Sequence, residues 1–216
     1  SYSYEDYSAS WTMFYVGAQE SGNEEWGVDY LADVLVKSDY DIKPVLRALF
    51  NSDFFKDSMY KKVRSPIELV VGTLRLVEDM IGPDPRVQKT AYQPGFMGQE
   101  LVDPPSVEGW HTGHEWIDSG TLSERVGFVE RQFEDRSKPG IRNILSRAGG
   151  LDDDPSQLVD RCLDLMGGIG VSESTYDSLV SYAKELSEIR DENGADSVGV
   201  HNVLQMLAST VDYQFA

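Results

Sequence analysis

An all-α fold is predicted by three features of this 216-residue chain. Apolar residues recur at spacings of three and four in one segment after another, as in Val28, Leu31, Val34 and Leu35. Helix punctuation is frequent: Ser65-Pro66-Ile67-Glu68 and Asp154-Pro155 read as starts, and Gly149-Gly150 and Gly167-Gly168 as stops. No stretch alternates apolar and polar residues as a half-buried strand does, and no Asn-Gly turn joins such stretches. The expectation is a single irregular domain of about nine helices over residues 11–216, with a long ordered Pro/Gly/Trp loop. Residues 1–10, rich in Ser, Tyr and acid without period, read as a flexible lead-in.

The elements follow in order. After the stripe from Val28 to Leu35, Asp41 reads as an N-cap with Pro44 in the first turn, where proline is tolerated. Val45, Leu46, Leu49 and Phe50 supply the apolar face, Asn51 and Ser52 end it, and Asp53-Phe54-Phe55 begins an aromatic turn. At the next start, Ser65 caps, Pro66 loses no needed N–H, and Glu68 reaches back to the Ser65 amide. The wide apolar stripe of Ile67, Val70, Val71, Leu74, Val77 and Ile81 predicts a central helix running to Ile81, stopped by Gly82-Pro83-Asp84-Pro85. A shorter, less regular helical stretch is expected from Arg86 towards Met97, interrupted near Pro94-Gly95.

Residues 98–118 carry no helical period. Loops of that length inside a domain are functional or disordered, and two tryptophans argue for order, since large aromatic surfaces offset the entropy of ordering. Beyond the loop, Asp118 or Ser119 caps a long helix with Leu122, Val126, Val129 and Phe133 as its expected inner face. Helices are then predicted over 139–147, from Asp154-Pro155 with Leu158, Cys162 and Leu165 in register, over 172–189, and over 196–209. The segment Val45–Ser52 with its aromatic turn has an echo in Val203–Thr210 followed by Asp212-Tyr213-Gln214-Phe215, which two copies alone do not make a solenoid.

Charge narrows the function classes. The chain has 19 Lys plus Arg against 37 Asp plus Glu, a net charge of −18, which repels phosphate backbones and anionic lipid and speaks against nucleic-acid partners. The acids are either a docking face for a basic partner or a general solvation device. No apolar run reaches the roughly 20 residues of a membrane span, and no targeting segment is seen. With one cysteine, Cys162, no internal disulfide and no cysteine-built metal cage is expected.

Three segments together resemble a known family. They are Asp39–Phe50 followed by Ser52-Asp53-Phe54-Phe55; Val63-Arg64-Ser65-Pro66-Ile67-Glu68-Leu69-Val70-Val71-Gly72-Thr73-Leu74-Arg75; and Gly98-Gln99 through Pro104-Pro105, Val107, Gly109-Trp110, Trp116-Ile117 and Thr121-Leu122. Their order and spacing are similar to the bacterial domain of unknown function 1800, with this chain corresponding to its C-terminal half. His111-Thr112-Gly113 stands where that family has Pro-Gly-Gly. The resemblance implies a bacterial protein, extracytoplasmic or periplasmic, with a sulfatase-like protein as partner. It supplies no reaction and no catalytic residues.

Candidate site residues concentrate in the loop. His111 and His114, with Glu108, Glu115 and Asp118 nearby, offer nitrogen and oxygen ligands of the kind zinc takes. Their spacing is not that of helical zinc-protease histidines, so no metal or cofactor is assigned. Trp110 and Trp116 are either a platform that stacks on sugars or anchors a partner, or plugs that pin the loop. Gln99 joins the candidate binding set. Gly167-Gly168-Ile169-Gly170 lacks the strand and Lys-Ser/Thr of a phosphate loop and reads as a helix–helix turn. Cys162 reads as a core thiol; a nucleophilic role would need a histidine such as His201. The expectation is an accessory interaction or scaffolding module. A hydrolase or metal-dependent enzyme with its site at 98–118, or a carbohydrate-binding module using both indoles, is the alternative.

Overall fold

A computed structural model describes residues 24–58, 61–80, 82–151, 153–188 and 196–215; the lead-in expected at 1–10 and the helix end expected at Ile189 lie outside them. Among the described residues the chain is helical, with eight helices of ten residues or more, and Ser106 and Gly109 form an isolated antiparallel bridge. The chain groups into two compact units, one up to Val63 and one spanning Arg64–Phe215, where the sequence reads as one domain.

In the first unit, α1 (Glu24–Lys37) packs on α2 (Ile42–Asn51). Asp41 caps α2 by accepting from the Lys43 amide at 3.0 Å. Ser52 ends α2 through its N–H to the Leu49 carbonyl, and its Oγ accepts from the Phe55 amide to start the one-turn α3 (Asp53–Lys56). One residue thus ends one helix and opens the next. Leu31, Leu49 and Phe54 form this unit's small core.

The second unit begins at the predicted capping box. The Ser65 amide donates to Glu68 Oε2 at 2.8 Å, and Ser65 Oγ accepts from the Glu68 amide, opening α4 (Pro66–Leu76). The expected extension to Ile81 does not occur. Glu78 and Met80 adopt left-handed backbone angles, φ 53° and 56°, and Ile81 itself lies outside the described residues. Two contacts account for the early stop. The turn buries Val77 completely against the start of α8 (Pro139–Ala148), where the Gly140 amide donates to the Val77 carbonyl at 3.1 Å. It also delivers Asp79 to Arg86 at 2.8 Å and Lys138 at 3.4 Å. Burial opposes ionisation of Asp79, but those cations outweigh it and keep its carboxyl below the ordinary range.

The stretch from Arg86 to Met97 resolves into two single turns, α5 (Val87–Thr90) and α6 (Gln93–Phe96). After the loop come α7 (Ser119–Glu134), α8, α9 (Pro155–Leu165), α10 (Glu173–Glu188) and α11 (Asp196–Ala208), and a 3₁₀ turn at Asp212–Gln214. Gly167 and Gly168, at φ 107° and 69°, make the turn after α9. Helices α4, α6 and α11 pack on α7, and α10 lies between α9 and α11. Their shared core includes Leu69, Phe128, Phe133, Ile141, Leu158 and Leu204. Burial of each such side chain favours folding by about 1.5–3 kcal/mol before entropy is counted.

The inner face of α7 differs from its expected stripe. Arg125, Phe128, Val129 and Phe133 are buried, whereas Leu122 and Val126 are half-buried. The stripe is rotated because Arg125 has specific partners inside. Its Nε donates to Gln214 Oε1 at 2.9 Å and its Nη2 to the Arg64 carbonyl at 2.6 Å.

Candidate functional site

The loop from Gly98 to Asp118 is tied down at both ends by backbone chemistry. Gln99 is buried, and its Oε1 accepts from the Ile67 amide at 2.9 Å. That amide is one of the N–H groups a helix start leaves without an internal partner, so Gln99 completes the cap of α4 across 32 residues of chain. At the far end Asp118 accepts from the Gly120 and Thr121 amides at 2.7 and 2.9 Å. Those amides hold the Asp118 carboxyl below the usual carboxylate range. Thr121 Oγ1 in turn donates to the Trp116 carbonyl at 3.0 Å.

The two indoles have different fates. Trp116 is buried, with 4% of its surface exposed, so a stacking platform made of both rings is not presented. Trp110 is half-buried, and its Nε1 donates to the Glu100 carbonyl at 3.0 Å. Gly109, at φ 100°, closes the tight Ser106–Gly109 turn that aims it there.

The histidines diverge as well. His111 Nδ1 lies 3.4 Å from Glu115 Oε2, both side chains being more than half exposed, and its ring meets Trp116 edge-on. His114 instead meets the Phe215 ring, 6.2 Å between centroids. Glu115 also accepts from the Thr112 amide, which closes the short 3₁₀ turn Gly113–Trp116. Among the described residues no three His, Cys, Asp or Glu side chains converge to hold a metal ion. Cys162 is fully buried, and burial pushes its thiol up to about 11, away from nucleophilic chemistry at neutral pH. His201 is also buried; its Nε2 donates to the Phe133 carbonyl at 2.7 Å, and burial lowers its pKa.

What the loop does support is a groove. About 520 Å³ of space is lined by Gln88, Ala91, Tyr92, Gly95, Phe96 and the strip Glu100–Val102. Tyr92 and Phe96 are 64% and 63% exposed, and Val102 is 95% exposed. Val102 also sits at φ 62°, a region β-branched residues rarely enter. Glu100, whose carbonyl accepts from Trp110, is one of the residues lining this groove, so the loop ties down one of its wall residues. Sequence periodicity did not expose it: α5 and α6 are one turn each, too short for a period of 3.6 to register. The signal present was a pair of aromatics, Tyr92 and Phe96, flanking Pro94-Gly95.

A family model described as a protein of unknown function (DUF1800) matches residues 14–215, nearly the whole chain and all three resembling segments. The chain belongs to the DUF1800 family. No curated protein and no solved structure matches it.

In this DUF1800 chain the second and third motif segments meet through the Gln99 cap. Next to them lies a polar cluster that the sequence did not reveal. Arg64 lies over the Tyr213 ring, 5.1 Å from its centroid, and the Tyr213 hydroxyl is 3.1 Å from Thr73 Oγ1. Arg125 and Gln214 are fully buried, and Arg125 Nη1 and Gln214 Nε2 have no hydrogen-bond partner among the described residues. Burial lowers the Arg125 pKa to about 10, so it stays a cation at neutral pH. No signal short of the fold itself places an arginine from a helix of alternating charge inside.

Proposed function

We propose that this chain is an interaction module that engages another protein through the groove formed by α5, α6 and residues 100–102. The exposure of Tyr92, Phe96 and Val102 together carries this reading. Contiguous apolar surface rimmed by polar groups marks protein contact sites, and aromatic side chains dominate their energetics. His111, His114, Glu115, Asp118 and Cys162 support it from the other direction, since each is engaged in capping, packing or a local pair. The bacterial, extracytoplasmic setting and a sulfatase-like partner are what the family resemblance implies, and an accessory role fits both.

A peptide-display selection tests the reading. Random 12-residue peptides are selected on the wild-type chain and counter-selected on a Tyr92→Ser/Phe96→Ser variant whose folding is verified by circular dichroism. Both residues are exposed, so the variant is expected to fold. Peptides carrying aromatic or aliphatic residues should bind the wild type and lose roughly tenfold or more in affinity on the variant. If no peptide distinguishes the two proteins, the groove is not the binding surface.

A further inference from the structure

We infer that the groove selects a cationic partner: a peptide segment that sets apolar side chains against Tyr92 and Phe96 and presents Lys or Arg to the rim. This rests on the groove being the binding surface and adds the chemistry of what occupies it. The observation is a local charge imbalance. Between Lys89 and Arg125 the chain has no Lys or Arg, but six carboxylates, at Glu100, Asp103, Glu108, Glu115, Asp118 and Glu124.

These acids differ in what already occupies them. Asp118 caps α7, and Glu115 is turned onto Thr112 and His111. Glu100 lines the groove, and Asp103 follows directly on its wall residue Val102. Glu100, Asp103 and Glu108 are all exposed, and none has a cation within 4 Å among the described residues. Three acids elsewhere in the unit are held by cations: Asp79 and Asp84 share Arg86, and Asp153 holds Arg161. Arg86, just before α5, is thereby neutralised, and Lys89 in α5 is an exposed cation next in sequence to the groove residue Gln88. Arg125, at the end of the acidic stretch, is fully buried.

An apolar groove with unpaired carboxylates beside it is complementary to a basic, apolar-bearing segment. Such complementarity acts on encounter rate and on the rejection of acidic competitors. It must also weaken with salt, because exposed charges are screened beyond about 8 Å at physiological ionic strength.

Three labelled 14-residue peptides with one leucine pattern test this, their polar positions filled by Lys, Gln or Glu. Each is titrated by fluorescence anisotropy against the wild-type chain, the Tyr92→Ser/Phe96→Ser variant and a Glu100→Gln/Asp103→Asn/Glu108→Gln variant. The Lys peptide should bind the wild type roughly tenfold tighter than the Gln peptide. That preference should shrink several-fold in 0.5 M salt and in the carboxylate variant, and the Glu peptide should bind least. If Gln and Lys peptides bind equally and both need Tyr92 and Phe96, the groove reading stands and the cationic partner falls. A Lys preference undiminished in the carboxylate variant means that overall charge attracts it, which overturns the inference. Binding by none of the peptides, or binding indifferent to Tyr92 and Phe96, overturns the inference and counts against the groove itself.

Discussion

Replacing Trp116 by alanine should destabilise the protein by about 3–5 kcal/mol, the range for deleting a buried aromatic ring. Urea denaturation followed by far-ultraviolet circular dichroism measures it. Trp116 is 4% exposed, so its removal leaves a cavity rather than a smoothed surface. The loss propagates because its carbonyl accepts from Thr121 Oγ1, and the Thr121 amide is part of the Asp118 cap that starts α7. Trp110 gives the contrast. Trp110→Phe keeps most of a half-buried ring and removes only the indole donor to Glu100, so stability should drop by about 1 kcal/mol. Similar small costs at both positions would mean that the loop is not seated as described.

The second large effect is at Gly140. A Cβ built there would lie 2.6 Å from the Val77 carbonyl carbon and 2.8 Å from its Cα. Backbone cannot swing away as a side chain can, and the Gly140–Val77 hydrogen bond would be forced apart. Gly140→Ala should therefore cost about 3 kcal/mol, at the upper end for overpacking. Gly72 is the internal control. It lies within α4 with nothing inside 4 Å of its would-be Cβ. Gly72→Ala should be neutral or stabilising by up to about 1 kcal/mol through helix propensity. Thermal melts of both variants decide it, and equal effects would contradict the close approach of α4 and α8.

Why some of this was readable in the sequence and some was not follows from the range of each interaction. Ser65–Glu68 and Asp154 act within three residues, so their types and spacing announce them. The turn at Gly167-Gly168 is local in the same sense. The α4 terminus was missed because what stops it is remote: Gly140, 63 positions beyond Val77, and Lys138 reaching Asp79. Apolar residues continue the stripe past Leu76, but Val77 is buried by a turn and not by another helical residue. Arg125 shows the limit most sharply. Its neighbours place it on a surface face, while its partners, Arg64 and Gln214, lie 61 and 89 positions away.

The candidate site divides along the same line. That the 98–118 stretch is ordered was legible from its tryptophans, and the burial of Trp116 agrees. Gln99 was legible as a residue of interest but not as a helix cap, because the amide it serves lies 32 residues earlier. The groove itself was not legible, because exposure of Tyr92 and Phe96 is decided by what packs around two single-turn helices.

Everything proposed for the groove depends on a loop that stays in place behind it. Hydrogen exchange followed by NMR at the Trp110 indole N–H and the Ile67 amide measures this directly, since each is held by one specific acceptor. Both should exchange at least about 100-fold more slowly than in an unstructured peptide, and both should lose protection in Trp116→Ala. Unprotected exchange at both sites, in a wild-type protein whose α4 and α7 interiors remain protected, would show a mobile connector and contradict the seated loop.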